Sequence, residues 1–338
     1  MAAFHLWYKD LDRGWKWFHI DYQGGENCMI TRRTFGRRSL GVVSATLLPH
    51  MYGAAIKSTV NGVKIGAISY CFRAIPRPQE GDYIDTMVRA YQDCGIGFCE
   101  LFNPMVEPWN LPGGGRAPLN TPELQKMRQD LRSWRISAPL ARFQEVRKKF
   151  NDGGIDVFAY VMTFTEDFTD EEIDAIFRQA QALGVRLIGT NQTTVGMGPK
   201  LIPYCEKYKI DLGFHCHAKV GDPNEVASVA SYEKLFGMSR RFKANLDIGH
   251  FTAGNNDAIA FIEKYHDRIS HLHLKDRKRN EGPNLPWGEG DTPLKQALQL
   301  LKEKRYPIYA VIEYEYPGKG SPVEEVKKCV EYIRQTLA

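Results

Sequence analysis

Beyond residue 62, short runs of β-branched and aromatic residues alternate with longer amphipathic stretches, the pattern of repeated strand–helix units. The pattern predicts strands over Lys64–Phe72, Gly97–Phe102, Asp156–Thr163, Arg186–Asn191, Asp211–His217, Ala244–Gly249, Ile269–Lys275 and Pro307–Glu315. Three of the intervening helices have legible starts. Thr169, Asp222 and Ser321 each place a capping oxygen three residues before a glutamate (Glu172, Glu225, Glu324) that can cap in return. Pro223 and Pro322 then fall at the first helical position, where a missing N–H costs nothing. Eight such units predict an α/β chain closed as a single-domain (β/α)8 TIM barrel over residues 62–336. No GxGxxG follows the first strand, which argues against a doubly wound open sheet. The one irregularity is Asn103–Asn151, too long for an ordinary connection. It carries the Gly/Pro loop Leu111-Pro-Gly-Gly-Gly115 and predicts helices over Pro122–Trp134 and Pro139–Phe150. This helical insertion after strand 2 belongs at the C-terminal mouth, as a substrate lid or as a peripheral packing element.

The N-terminal part follows no such pattern. Arg32-Arg33-Thr-Phe35 precedes a mildly apolar stretch, Leu40–Leu48, and small residues at Gly53, Ala54 and Ala55. A charged region, a short apolar region and a small-residue cleavage site make a twin-arginine-type signal peptide over residues 29–55. Such signals start near an initiator methionine, so residues 1–28 read as a mis-called extension ahead of Met29. The expected location is periplasmic or otherwise extracytoplasmic. Apolar content of 43% and charged content of 25% are those of a globular chain, and no apolar run approaches the ~18 residues that span a bilayer. Net charge is +5, but seven basic against four acidic residues lie in the first 55. The rest has little general attraction for nucleic acid. Seven cysteines contain no CxxC pair, so neither a zinc ribbon nor a disulfide framework is signalled.

Four consecutive predicted strands end in polar groups. Alternate residues of a strand share a face, so His215 and His217 point one way, as do Asn245 and Asp247, then His271, His273 and Lys275, then Glu313 and Glu315. Their apolar neighbours face the helices. Buried together without partners, these carboxylates and imidazoles are costly, and a divalent cation bonding them removes the cost. His215, Asp247, His273 and Glu313 are the expected ligands of one ion. Two imidazoles with two carboxylates suit Mn, Zn, Co or Fe better than Ca. His250, just past strand 6, and His217 are expected near the substrate. The Lys275–Arg279 run reads as a solvated loop rather than a nucleic-acid contact.

The segments Leu246-Asp-Ile-Gly-His250, His271-Leu-His-Leu-Lys-Asp276, Trp287-Gly-Glu-Gly290 and Ile312-Glu-Tyr-Glu315 resemble the xylose isomerase-like TIM barrels, the sugar phosphate isomerase/epimerase superfamily. Ile65-Gly-Ala-Ile-Ser-Tyr70 and the strand bearing Glu100 are similar as well. The resemblance implies a metal held by a Glu, an Asp, a His and a Glu on strands 5 to 8, the last three matching Asp247, His273 and Glu313. Strand 5 departs from the pattern with His215, which puts a two-glutamate proton transfer in doubt. The base is then His217, Lys275, Glu315 or Glu313. Glu100, His250, Glu315 and Trp287 are expected to touch substrate. The implied activity is isomerisation or epimerisation of a small sugar through an enolate next to a carbonyl. Elimination from a keto-glycoside or keto-sugar by a lyase or dehydratase is the alternative on the same site. A non-catalytic sugar-binding barrel and an abasic-site endonuclease-like phosphodiesterase are the rivals from other classes. No nucleic acid and no stable membrane insertion are expected, and a homo-oligomer is left open.

Overall fold

The computed structural model describes residues 3–10, 14–21, 54–78, 80–108 and 120–338. Residues 29–53 of the signal segment and the Leu111–Gly115 loop therefore lie outside the described residues. Contacts divide the chain into two units, Met1–Pro49 and His50–Ala338. In the first, Ala3–Asp10 pairs antiparallel with Gly14–Asp21, a hairpin that the sequence pattern did not announce.

The second unit is the barrel. Its strands are β1 (Val63–Ile68), β2 (Phe98–Phe102), β3 (Asp156–Met162), β4 (Leu187–Thr190), β5 (Asp211–His215), β6 (Phe242–Asp247), β7 (Ile269–Leu274) and β8 (Tyr309–Ile312). Each pairs parallel with its neighbour in sequence, and β8 closes on β1 through Ala310–Ile65 and Ile312–Ala67. A two-residue strand, Thr59–Val60, turns back antiparallel onto β1. The predicted closed (β/α)8 barrel is the observed fold. Its helices are α1 (Tyr83–Cys94), α2 (Pro122–Ser137), α3 (Leu140–Asp152), α4 (Asp170–Ala182), α5 (Gly198–Tyr208), α6 (Val229–Met238), α7 (Ile248–Ala253), α8 (Ala258–Tyr265), α9 (Leu294–Lys304) and α10 (Pro322–Leu337). Apolar faces of strands and helices merge in one core, and six cysteines are free and buried within it. No helix among the described residues is long and apolar enough to cross a membrane.

Most strands stop short of their predicted ends, two of them where local hydrogen bonding takes over. β6 ends at Asp247, whose Oδ1 accepts the His250 N–H at 2.6 Å and starts α7. β1 ends at Ile68, where Ser69 begins a 3-10 turn and accepts the Phe102 N–H at 2.9 Å. The three predicted helix starts meet three fates. Ser321 and Glu324 form a complete capping box. Thr169 caps α4, but the Glu172 carboxylate goes to arginines of α2 instead of back to the cap. No helix begins at Asp222: its carboxylate accepts the Asn224 N–H in a tight turn, and the helix starts at Ser228 with its own capping box to Ser231.

The insertion after β2 is helical as predicted, over α2 and α3. Helix α2 is not a loose cover. Arg128 and Arg135, both buried, bond Glu172 of α4, and Arg135 also holds buried Glu107 at 2.7 and 3.0 Å. These pairs fix α2 against α4 as a packing element.

Candidate functional site

His215, Asp247, His273 and Glu313 meet at the C-terminal ends of β5 to β8, where adjacent parallel strands run in register and His273 lies beside Asp247. All four are buried, and each offers a donor atom within 4.8 Å of every other. His215 Nε2 stands 3.5 Å from Asp247 Oδ2 and 3.5 Å from Glu313 Oε2. His273 Nδ1 lies 2.9 Å from Glu313 Oε2. Both ring nitrogens of His215 and Asp247 Oδ2 are buried without a hydrogen bond. Leaving the two His215 nitrogens unsatisfied costs about 1–3 kcal/mol each, while Asp247 Oδ2 faces the Lys275 ammonium at 3.1 Å. A cation bonded at ~2.0–2.2 Å to these N and O donors would satisfy Asp247 Oδ2 and one nitrogen of His215. The cluster could hold a metal ion.

Lys275, one strand turn past His273, is also buried, with Nζ 3.1 Å from Asp247, 3.0 Å from Glu313 and 2.7 Å from Glu315. Burial opposes its charge, but these three carboxylates outweigh that and hold the ammonium well above its ordinary value. Held this way, Lys275 is a cation in this arrangement, which counts against its expected role as base. Its burial also corrects the reading of Lys275–Arg279 as a solvated loop. Arg277 bonds the Gly282 carbonyl and His250, and Asp276 is buried.

Burial raises Asp247 and Glu313, yet Lys275 with the neighbouring imidazoles brings both below the carboxylate range. Burial lowers His273, and Glu100 with Glu313 reverses this, lifting the ring to about 10. His217 goes the other way: burial, aided by His215 and Lys275, outweighs its partner Glu225 and keeps the ring neutral. Its Nδ1 lies 3.2 Å from Glu225 Oε1. His250, beside Lys275 Nζ at 3.0 Å, is held well below its usual value by burial and by that charge.

A cavity of about 400 Å³ opens over this floor, lined by His215, His217, His250, His273, Lys275, Glu313 and Glu315 among others. The structure thus brings together every candidate site residue named from the sequence except two, Glu100 and Trp287. Asp247 is fully buried in the floor. Glu100 does not reach the mouth as expected: it is fully buried and bonds His271 and His273 beneath the cluster. Trp287 does not touch the cavity either, and packs at 5.7 Å on Tyr332 in a separate pocket with Tyr316 and Lys328. Its Trp-Gly-Glu-Gly motif has a structural cause. Asp276 accepts the N–H groups of Gly288 and Gly290 at 2.7 and 3.0 Å, and a Cβ on Gly290 would fall 1.9 Å from that carboxylate.

Sequence reasoning missed several wall residues. Tyr70 packs edge-on against Phe102 at 5.4 Å and donates to Glu315 at 3.1 Å. Thr190 ends β4 and Asn191 and Gln192 follow it at the same rim, where their position at a strand's C-terminal end was the available signal. Glu225, expected as a helix cap, instead lines a separate pocket beside His217, where the His217 N–H to Val226 carbonyl bond holds its loop.

Residues 199–336 match the family model described as xylose isomerase-like TIM barrel. The inosose dehydratase of Lacticaseibacillus casei is 24% identical over 191 residues, 50% of this chain and 56% of that protein, so the chain spans about half the length of the curated relatives it matches. Among solved structures, the IOLI protein with a bound zinc atom superposes with a TM-score of 0.57 at 14% identity, covering 81% of this chain and 98% of that one. The 3-keto-D-glucoside 4-epimerase of E. coli gives a TM-score of 0.55 at 12% identity, covering 81% and 99%. The fold is that of the xylose isomerase-like TIM barrels.

Proposed function

We propose that this chain is a divalent-metal-dependent enzyme that removes a proton from the carbon next to a carbonyl of a sugar or keto-sugar, forming an enolate. The observation that carries this reading is the convergence of His215, Asp247, His273 and Glu313 below a cavity whose wall holds a neutral, carboxylate-braced imidazole. Those four residues would hold a divalent cation, which would supply Lewis acidity toward a bound carbonyl and its neighbouring C–H. His217 is the base: Glu225 takes the Nδ1 side of its ring and leaves Nε2 to accept the proton. Lys275 and Tyr70, donors at the Glu315 side of the cavity, return or deliver a proton. Epimerisation, isomerisation and elimination all begin this way, and a dehydratase among the curated relatives accords with the last. Elimination is further favoured by the division of labour, one base and separate donors, with an imidazole at the strand-5 position.

The test is turnover of keto-sugars and keto-glycosides in deuterated water. Enolisation gives exchange at the carbon next to the carbonyl, or an unsaturated product lacking that hydrogen. His217→Ala is expected to slow this by roughly 10²–10⁴-fold with metal content unchanged. Isomerised product without exchange would mark hydride transfer, and a product of hydrolysis with every C–H retained would mark a hydrolase. Either result overturns the reading.

Export by the twin-arginine route belongs to the same proposal and is supported by Arg32-Arg33-Thr-Phe35. Arg32→Lys with Arg33→Lys is expected to retain precursor in the cytoplasm. A mature N-terminus at or before Lys9 would refute it.

A further inference from the structure

Glu100 sits on β2 with no exposed surface, at the centre of the barrel and one layer below the proposed ligands. An ionised carboxylate there persists only if both oxygens are bonded. Oε1 lies 3.0 Å from His271 Nε2 and 3.4 Å from Asn245 Nδ2, and Oε2 bonds His273 Nε2. His271 is itself braced, with Nδ1 2.9 Å from Ser270 Oγ. Space for the carboxylate comes from β4, where a Cβ on Gly189 would lie 2.6 Å from Glu100 Oε1.

We infer that Glu100 is the positioning residue of the proposed metal site, fixing the tautomer and the rotation of His273. An imidazole that would ligate a cation through Nδ1 must carry its one N–H on Nε2, and a carboxylate only accepts. With Nε2–H donated to Glu100, the lone pair of His273 resides on Nδ1, the nitrogen that faces Glu313 and the shared point of the four donors. The wrong tautomer would aim a hydrogen at that point. Glu100 thus acts on a metal it does not touch, as carboxylates behind ligating histidines do elsewhere. His271, on the other oxygen, prevents the carboxylate from rotating.

This inference rests on the metal reading, and one experiment separates the two. Mn²⁺ binding to the full chain is measured by calorimetry for wild type, Glu100→Gln and Gly189→Ala, with thermal unfolding in EDTA alongside. Glutamine offers one acceptor and one donor, so its amide no longer fixes the His273 proton. Gly189→Ala leaves every ligand and Glu100 itself in place but crowds the carboxylate. Both are expected to weaken Mn²⁺ about 10–100-fold at unchanged stoichiometry. Loading with Co²⁺ should show a shifted visible spectrum in Glu100→Gln. A purely structural role lowers the unfolding temperature in EDTA but leaves the affinity of the folded fraction intact, which overturns the inference. Affinities within twofold of wild type in both variants also overturn it while the metal reading stands. A wild type that binds no Mn²⁺ sinks both. Two Mn²⁺ per wild-type chain, one lost in Glu100→Gln, would make Glu100 a ligand rather than a positioning residue.

Discussion

Asp247→Asn is expected to empty the proposed metal site and lower turnover by roughly 10³-fold. The substitution keeps the Oδ1 that caps α7 through the His250 N–H, so local structure is preserved. It replaces Oδ2, the buried oxygen that faces His215 at 3.5 Å and Lys275 at 3.1 Å, by an amide that cannot ligate through its nitrogen. A cation polarising a carbonyl contributes several kcal/mol to the transition state, and about 4 kcal/mol corresponds to about 10³ in rate. Metal content of the purified variant and its steady-state rate are the two measurements. Full metal occupancy with wild-type turnover would show that these four residues are not the functional centre.

Glu172→Ala is expected to cost about 3–5 kcal/mol of stability, the range for breaking a buried ion pair from one side. Glu172 is fully buried and receives Arg128 at 2.9 and 2.7 Å, Arg135 at 3.0 Å and Arg132 at 3.2 Å. Its loss strands two buried guanidiniums, of which only Arg135 keeps a carboxylate partner that is itself buried, Glu107. Burial disfavours the charge on Arg135, but Glu107 and Glu172 outweigh it, so the group stays protonated at all working pH values. The measurement is the urea unfolding midpoint at neutral pH. A loss below about 1 kcal/mol would place the network among surface ion pairs, and α2 would then be free to move as a lid.

Three similar sequence signatures show how far local chemistry reaches. Ser321-Pro-Val-Glu324 folded as its spacing dictates because helix α10 starts there with no competitor for either side chain. Thr169 did its half, but three arginines across the gap to α2 offered Glu172 stronger partners than one backbone N–H. Asp222 and Glu225 formed no cap at all: Asp222 satisfied a nearer N–H, and Glu225 was drawn to His217.

The sequence by itself determined the barrel and four residues of its floor. Strand periodicity is a two-residue rule that needs no tertiary information, and closure of eight parallel strands forces the inward polar residues of β5 to β8 to one place. His215, Asp247, His273 and Glu313 are among the side chains those two statements bring together, Glu313 one residue past the end of β8. The tertiary structure decided everything off the strands and everything about depth. Tyr70, His217, His250 and Glu225 are placed by turns and short helices whose paths depend on distant partners. Glu100 obeys the periodicity, but only the register of β2 against β1 and β3 sets it a layer below the site. Whether Lys275 is a base or a cation depended on three carboxylates from two other strand ends, since charge in a buried place is fixed by what surrounds it.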